Sequence, residues 1–229
     1  PADRPCSLLH RLLPDPLPAI FLLCCLSLAS PSQVLAGHHP CPDSNISVVT
    51  GEPARLHDIC AGAADALSFF ADLGLTPSHP IVVEIVRHLP DHVSDSAIGC
   101  YLEDQERICV LDYDAFQRHE KWFGVPVSPS MYRSVVTHEA AHAVADCNFR
   151  INKPTIQAKE YVAYVAMFAS MDTALRERIM MENPGRGFDS ELKINATIYL
   201  CDPMRFGLKA YRHYLREDRG NAFLRKVLS

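Results

Sequence analysis

The sequence predicts an α+β fold in which strands and helices occupy separate stretches of chain. Three observations carry that reading. An apolar period of 3.6 residues runs through 53–75, β-branched and alternating stretches fill 81–89 and 98–113, and helical periodicity returns from residue 128 onward. With 48% hydrophobic and 21% charged residues in 229, the chain has material for one core.

Each element has its own signal. In 53–75, Leu56, Ile59, Cys60, Ala63, Leu67 and Phe70 share one helical face, and Gly74 and Pro77 stop it. The run IVVEIVRHL, 81–89, lies between Pro80 and Pro90 and reads as a strand. Residues 98–113 place two apolar arms around the polar centre EDQER, which is a hairpin signal. Ser128 can cap the next helix, with Pro129 at its first position, and the helix ends around Cys147 or Asn148. A loop leads to a helix over about 156–171, and two more are expected near 189–201 and 204–228, parted by Asp202 and Pro203. The polar residues after 36, with two prolines, read as an extended arm.

The first 36 residues read as a secretory signal peptide rather than as fold. Arg4 and Arg11 precede the apolar run LPAIFLLCCLSLAS, and small or aliphatic residues stand at Val34 and Ala36. That run of 14 residues falls short of the roughly 20 a helix needs to span a bilayer, so no stable membrane span is expected after cleavage; a signal anchor is the alternative. The mature domain would then be 37–229, secreted or periplasmic. Beyond the leader stand Cys41, Cys60, Cys100, Cys109, Cys147 and Cys201, an even set that an oxidising compartment can pair. The expected pairs are Cys100 with Cys109 across the hairpin, Cys147 with Cys201, and Cys41 with Cys60, while buried free thiols are the other possibility. A net charge of −5 without a basic cluster argues against a nucleic-acid partner.

The chemistry is carried by VVTHEAAHAVADC. Residues four apart lie on one side of a helix, so His138 and His142 can reach a single ion. Zinc takes imidazole nitrogen, and a catalytic site uses three protein ligands plus water. Glu139 sits beside the two histidines and can accept a proton from a water acidified by the metal. For the third ligand, a metzincin pattern fails, because Ala145 and Asn148 occupy the positions it needs. Asp146 lies about 12 Å along the axis from His138, too far to share its ion, so it either orients a ligand imidazole or is an exposed carboxylate. Glu160, eighteen residues after His142 on an apolar helix, is the better candidate, since a buried carboxylate needs a partner. Its alternative is a solvent face shared with Lys159.

HEAAH followed at this distance by EYVA resembles the gluzincins, zinc metallopeptidases with Glu-x-x-Ala on the ligand helix. The likeness covers about residues 98–171 and is closest to the small single-domain representatives. It implies a zincin-like fold, a small, mostly antiparallel sheet packed on the motif helix with a helical part after it. It also implies zinc bound by His138, His142 and Glu160, with Glu139 as general base. The expected activity is hydrolysis of peptide bonds in a peptide or protein substrate laid along the 98–113 hairpin. A zincin-like domain that binds without cutting is the alternative. The tyrosine or histidine such enzymes use on the oxyanion stays open among Tyr161, Tyr164, Tyr199, Tyr211, His213 and Tyr214.

Overall fold

The structure is a computed structural model that describes residues 36–42, 44–216 and 220–229. The expected signal peptide falls almost wholly outside the described residues. Strands β1 (Gly37–Pro40), β2 (Ile46–Thr50), β3 (Ile81–Val86), β4 (Gly99–Leu102) and β5 (Arg107–Leu111) form a five-stranded sheet in the order β1-β2-β3-β5-β4. Two short strands, β6 (Lys121–Trp122) and β7 (Val125–Pro126), make a separate ribbon. The helices among the described residues are α1 (Leu56–Asp72), α2 (Tyr113–Gln117), α3 (Pro129–Asp146), α4 (Ile156–Ser170), α5 (Thr173–Glu182), α6 (Ala196–Cys201), α7 (Pro203–Tyr214) and α8 (Gly220–Leu228). None is long and apolar enough to cross a membrane.

The sheet is mixed rather than mostly antiparallel. β2, β3 and β5 run parallel, and only the edge strands β1 and β4 are antiparallel to their neighbours. The cause is the connection: α1 lies between β2 and β3 and returns the chain to the starting end of the sheet, as a parallel pair requires. The stretch expected as an extended arm thus contributes two strands. In β2, Ile46, Val48 and Thr50 turn inward while Ser47 and Val49 are half-buried, the alternation of a strand covered mainly on one face. The 98–113 hairpin forms as β4 and β5, and β4 becomes the edge beside α3. At the other end, α5 arises where no element was expected, and the long helix expected over 204–228 is divided into α7 and α8.

Helix α3 lies at the centre, packed on α1, on α4 and on the β4–β5 hairpin. Ser128 caps it as expected, its hydroxyl accepting the Met131 amide at 3.2 Å. Nearly every position from Met131 to Ala145 is buried, so α3 has no solvent face. Its approach to α1 is set by Gly62, where an added Cβ would stand 2.4 Å from the Arg133 carbonyl oxygen. The contact is locked by Thr137, which donates to the Gly62 carbonyl at 2.9 Å, and by Arg133, which forks onto both Asp65 oxygens at 2.6 Å.

One expected disulfide forms. Cys41 and Cys60 are bonded and tie the end of β1 to α1, closing a separation of 19 residues, a constraint worth about 3 kcal/mol. Cys100, Cys109, Cys147 and Cys201 are thiols. Cys100 and Cys109 do meet as register partners, but as a hydrogen-bonded pair of thiols. The Cys147–Cys201 pair is absent because Cys147 closes α3 against residues 78 and 79, whereas Cys201 is exposed at the end of α6.

A helix-interior glycine ordinarily gains about 1 kcal/mol when changed to alanine. Gly62→Ala should instead destabilise the protein by about 1–3 kcal/mol, because its methyl meets backbone that cannot yield. Urea unfolding of the two proteins measures the sign.

Candidate metal centre

The group at the middle of α3 is assembled from two helices. His138 and His142 project from successive turns of α3, and Glu160 reaches them from the first half of α4. The small residues Ala140, Ala141, Ala143 and Ala145 are all buried and allow neighbouring elements to lie close to α3. Nε2 of His138 stands 3.2 Å from Nε2 of His142. The Glu160 oxygens complete the triangle, Oε2 at 3.5 Å from His138 Nε2 and Oε1 at 3.6 Å from His142 Nε2. Ligand atoms about 2.05 Å from a tetrahedral ion lie about 3.3 Å from one another. The three donors are therefore already spaced as ligands around one ion, and the group could hold a metal.

The electrostatics fit a cation better than they fit protons. Burial drives His142 down to about 4, with charge from His138 and Lys159 adding to the effect, so its lone pair is free at neutral pH. Burial also opposes charge on His138, but hydrogen bonding and charge from Glu160 and Glu139 outweigh it and raise its pKa. Glu160, although buried, is held below the usual carboxylate range by His142 and His138 and by a hydrogen bond from Tyr199. Nδ1 of His138 is buried without a hydrogen-bond partner among the described residues. A ligand imidazole usually donates this N–H to a carbonyl or carboxylate. Here the ring is held by packing: the Tyr164 ring lies 4.4 Å away, centroid to centroid. Tyr164 is in turn backed by Gly207 of α7, where a Cβ would stand 2.4 Å from the tyrosine ring.

Glu139 does not join the three donors. Its carboxylate lies against Gly99 of β4, so close that a Cβ there would come within 2.8 Å of Oε1. Burial pushes its pKa up to about 7, against the lowering effect of His138. Glu139, His138, His142 and Glu160 all line one cleft of about 970 Å³, whose walls include β4, Trp122 and Tyr199.

Of the residues the sequence singles out, His138, Glu139, His142 and Glu160 come together. Asp146 is only half-buried and does not orient an imidazole; it accepts the Tyr101 hydroxyl at 3.4 Å. Lys159 pairs with Glu103 of the hairpin and so ties α4 to the β4 end of the sheet. Gly99 and Gly207 carry no sequence signal for their roles. Tyr164 does, standing four residues after Glu160 and hence on the same side of α4.

The fold and site define a mixed α+β protein with a buried two-histidine, one-glutamate group that could hold a metal ion. The chain belongs to a family of unknown function, DUF6639, whose model matches residues 46–229. Neither a curated protein nor a solved structure matches it.

Two outcomes test the centre. Glu160→Ala should weaken Co²⁺ binding by roughly 10²-fold or more, since even an outer-shell partner is worth 10–100-fold. Below the raised pKa of His138 a proton competes with the ion for that nitrogen, so affinity should fall by roughly tenfold per pH unit. Spectrophotometric Co²⁺ titrations from pH 8 to pH 5 measure both.

Proposed function

We propose that the protein is a zinc-dependent peptidase of gluzincin type, exported from the cytoplasm. The observation that carries this reading is the division of labour among four side chains: three donors at tetrahedral spacing, and a fourth, Glu139, beside them in the cleft without being one of them. Two imidazoles and a carboxylate suit zinc, and three protein ligands leave a position for water or substrate. The Cys41–Cys60 disulfide agrees with an oxidising compartment.

When bound there, zinc supplies Lewis acidity, which polarises a carbonyl and acidifies water. Glu139, with its pKa near 7, is suited to take a proton from the attacking water and return it to the leaving amine. Tyr199 lines the cleft with its hydroxyl bonded to Glu160, where it steadies that carboxylate. It is also our candidate for the donor that meets negative charge on the substrate carbonyl oxygen. The substrate backbone would pair with β4, the sheet edge that borders the cleft, as an added strand.

Glu139→Gln should abolish hydrolysis of a peptide library while zinc stays at about one per chain. Tyr199→Phe should weaken zinc binding by roughly 10–100-fold through the lost bond to Glu160 and, with zinc kept in excess, lose about 10²-fold in kcat, the scale for removing one oxyanion donor. Elemental analysis alongside library digestion reads both. A zinc-loaded wild-type protein that cuts nothing in the library would overturn the peptidase reading in favour of a metal-carrying binding domain.

A further inference from the structure

A second cluster with nucleophilic chemistry lies at the C-terminal end of α3. Cys147 Sγ stands 3.1 Å from Nε2 of His79, a residue 68 positions earlier in the chain. The other ring nitrogen of His79, Nδ1, lies 3.3 Å from the Pro80 carbonyl oxygen. A carbonyl accepts but cannot donate, so that contact places the ring proton on Nδ1 and leaves the Nε2 lone pair facing the thiol. The Ser78 hydroxyl donates to the same sulfur at 3.2 Å, and Glu106 Oε1 lies 3.8 Å from Nε2. A nucleophile in hydrogen-bond reach of a base whose tautomer is fixed by a third group is the arrangement that activates a thiol.

The surroundings decide how such a thiol would act. The Ala143 carbonyl faces Sγ at 3.4 Å, and Asp146 as well as Glu106 lies near His79. With the ring proton on Nδ1, the Nε2 lone pair of His79 faces the sulfur, so the thiol proton passes to Nε2 as the sulfur attacks. Cys147 is half-buried and the His79 side chain is 19% exposed, so a small reagent can approach the pair.

We propose that Cys147 and His79 form a thiol–imidazole site that reacts with low-molecular-weight disulfides and other soft electrophiles. With a disulfide RSSR, the Cys147 sulfur bonds to one sulfur of the pair and its proton moves to His79. The S–S bond breaks, RS⁻ leaves, and it takes the proton from His79 as RSH. The products are a mixed disulfide at Cys147 and one thiol. The site is independent of the metal-centre reading.

The molecule carries its own control. Cys201 is an exposed thiol and Cys147 a half-buried one, so access alone makes Cys201 the faster to react, whereas assistance by His79 makes Cys147 faster. The folded full-length protein is treated with limiting iodoacetamide, or with glutathione disulfide, and each cysteine is followed by peptide mapping. Cys147 should react at least about tenfold faster than Cys201, the lower range of general-base assistance. His79→Gln and, as a second variant, His79→Asn should remove that advantage while leaving Cys201 unchanged and buried Cys109 unreactive, which certifies the fold. Cys201 reacting as fast as Cys147 in the wild type, or Cys147 keeping its rate in a folded His79 variant, would overturn the proposal.

Discussion

The structure depends on burying α3 on every side while it carries ionisable groups at its middle. A helix without a solvent face must find partners for each polar atom it takes out of water, and an unpaired charge there is prohibitive. His138, His142 and Glu160 find those partners in one another, and their donor atoms converge within 4.8 Å. Two imidazole nitrogens, that of His142 kept unprotonated by burial, and a carboxylate crowd together at this point. A cation between them satisfies all three at once. The same convergence ties α3 to α4 and so links the centre of the fold to the helical C-terminal part.

Distances of approach govern the rest. Gly62 sets how near α1 comes to α3, Gly99 how near β4 comes to Glu139, and Gly207 how near α7 comes to Tyr164. None of the three has a left-handed backbone that would call for glycine, so each is there for the space a side chain would fill. Together they fix α3 between two walls: Glu139 is pressed on one side by the sheet edge, and His138 is braced by an aromatic ring on the other. The elements that supply packing thus also determine where the functional groups point.

The middle and the C-terminal end of the motif helix differ in electrostatic character. At mid-helix, burial dominates, lowering His142, raising Glu139 and leaving the charge balance to Glu160. At the C-terminal end, Cys147, His79, Glu106 and Asp146 lie nearer solvent, and hydrogen-bond geometry decides the chemistry. The helix spans both environments because it starts after the β6–β7 ribbon, runs through the buried core and ends beside the loop before β3.

Much of the site was legible because its ligands obey local rules. His138 and His142 share a helix face by spacing alone, and Glu160 stands out as a carboxylate in an apolar helical run, where burial demands a partner. The α1 period and the strands of the hairpin were equally plain. The sense of the strands was not, because parallel pairing of β2 with β3 follows from the path of α1; β1 is too short and polar to announce itself, whereas β2, ISVVT, carries a β-branched signal that the arm reading passed over. Of the three expected cysteine pairs only Cys41–Cys60 is bonded, since an even count says nothing of which sulfurs meet. The sequence by itself determined which side chains form the candidate metal centre, because helical periodicity and the burial of charge act over a few turns of chain. Only the tertiary structure decided that Tyr199 reaches Glu160, that Gly99 admits Glu139 and that His79 faces Cys147. Those contacts join residues 39 to 68 positions apart, and only packing sets such distances.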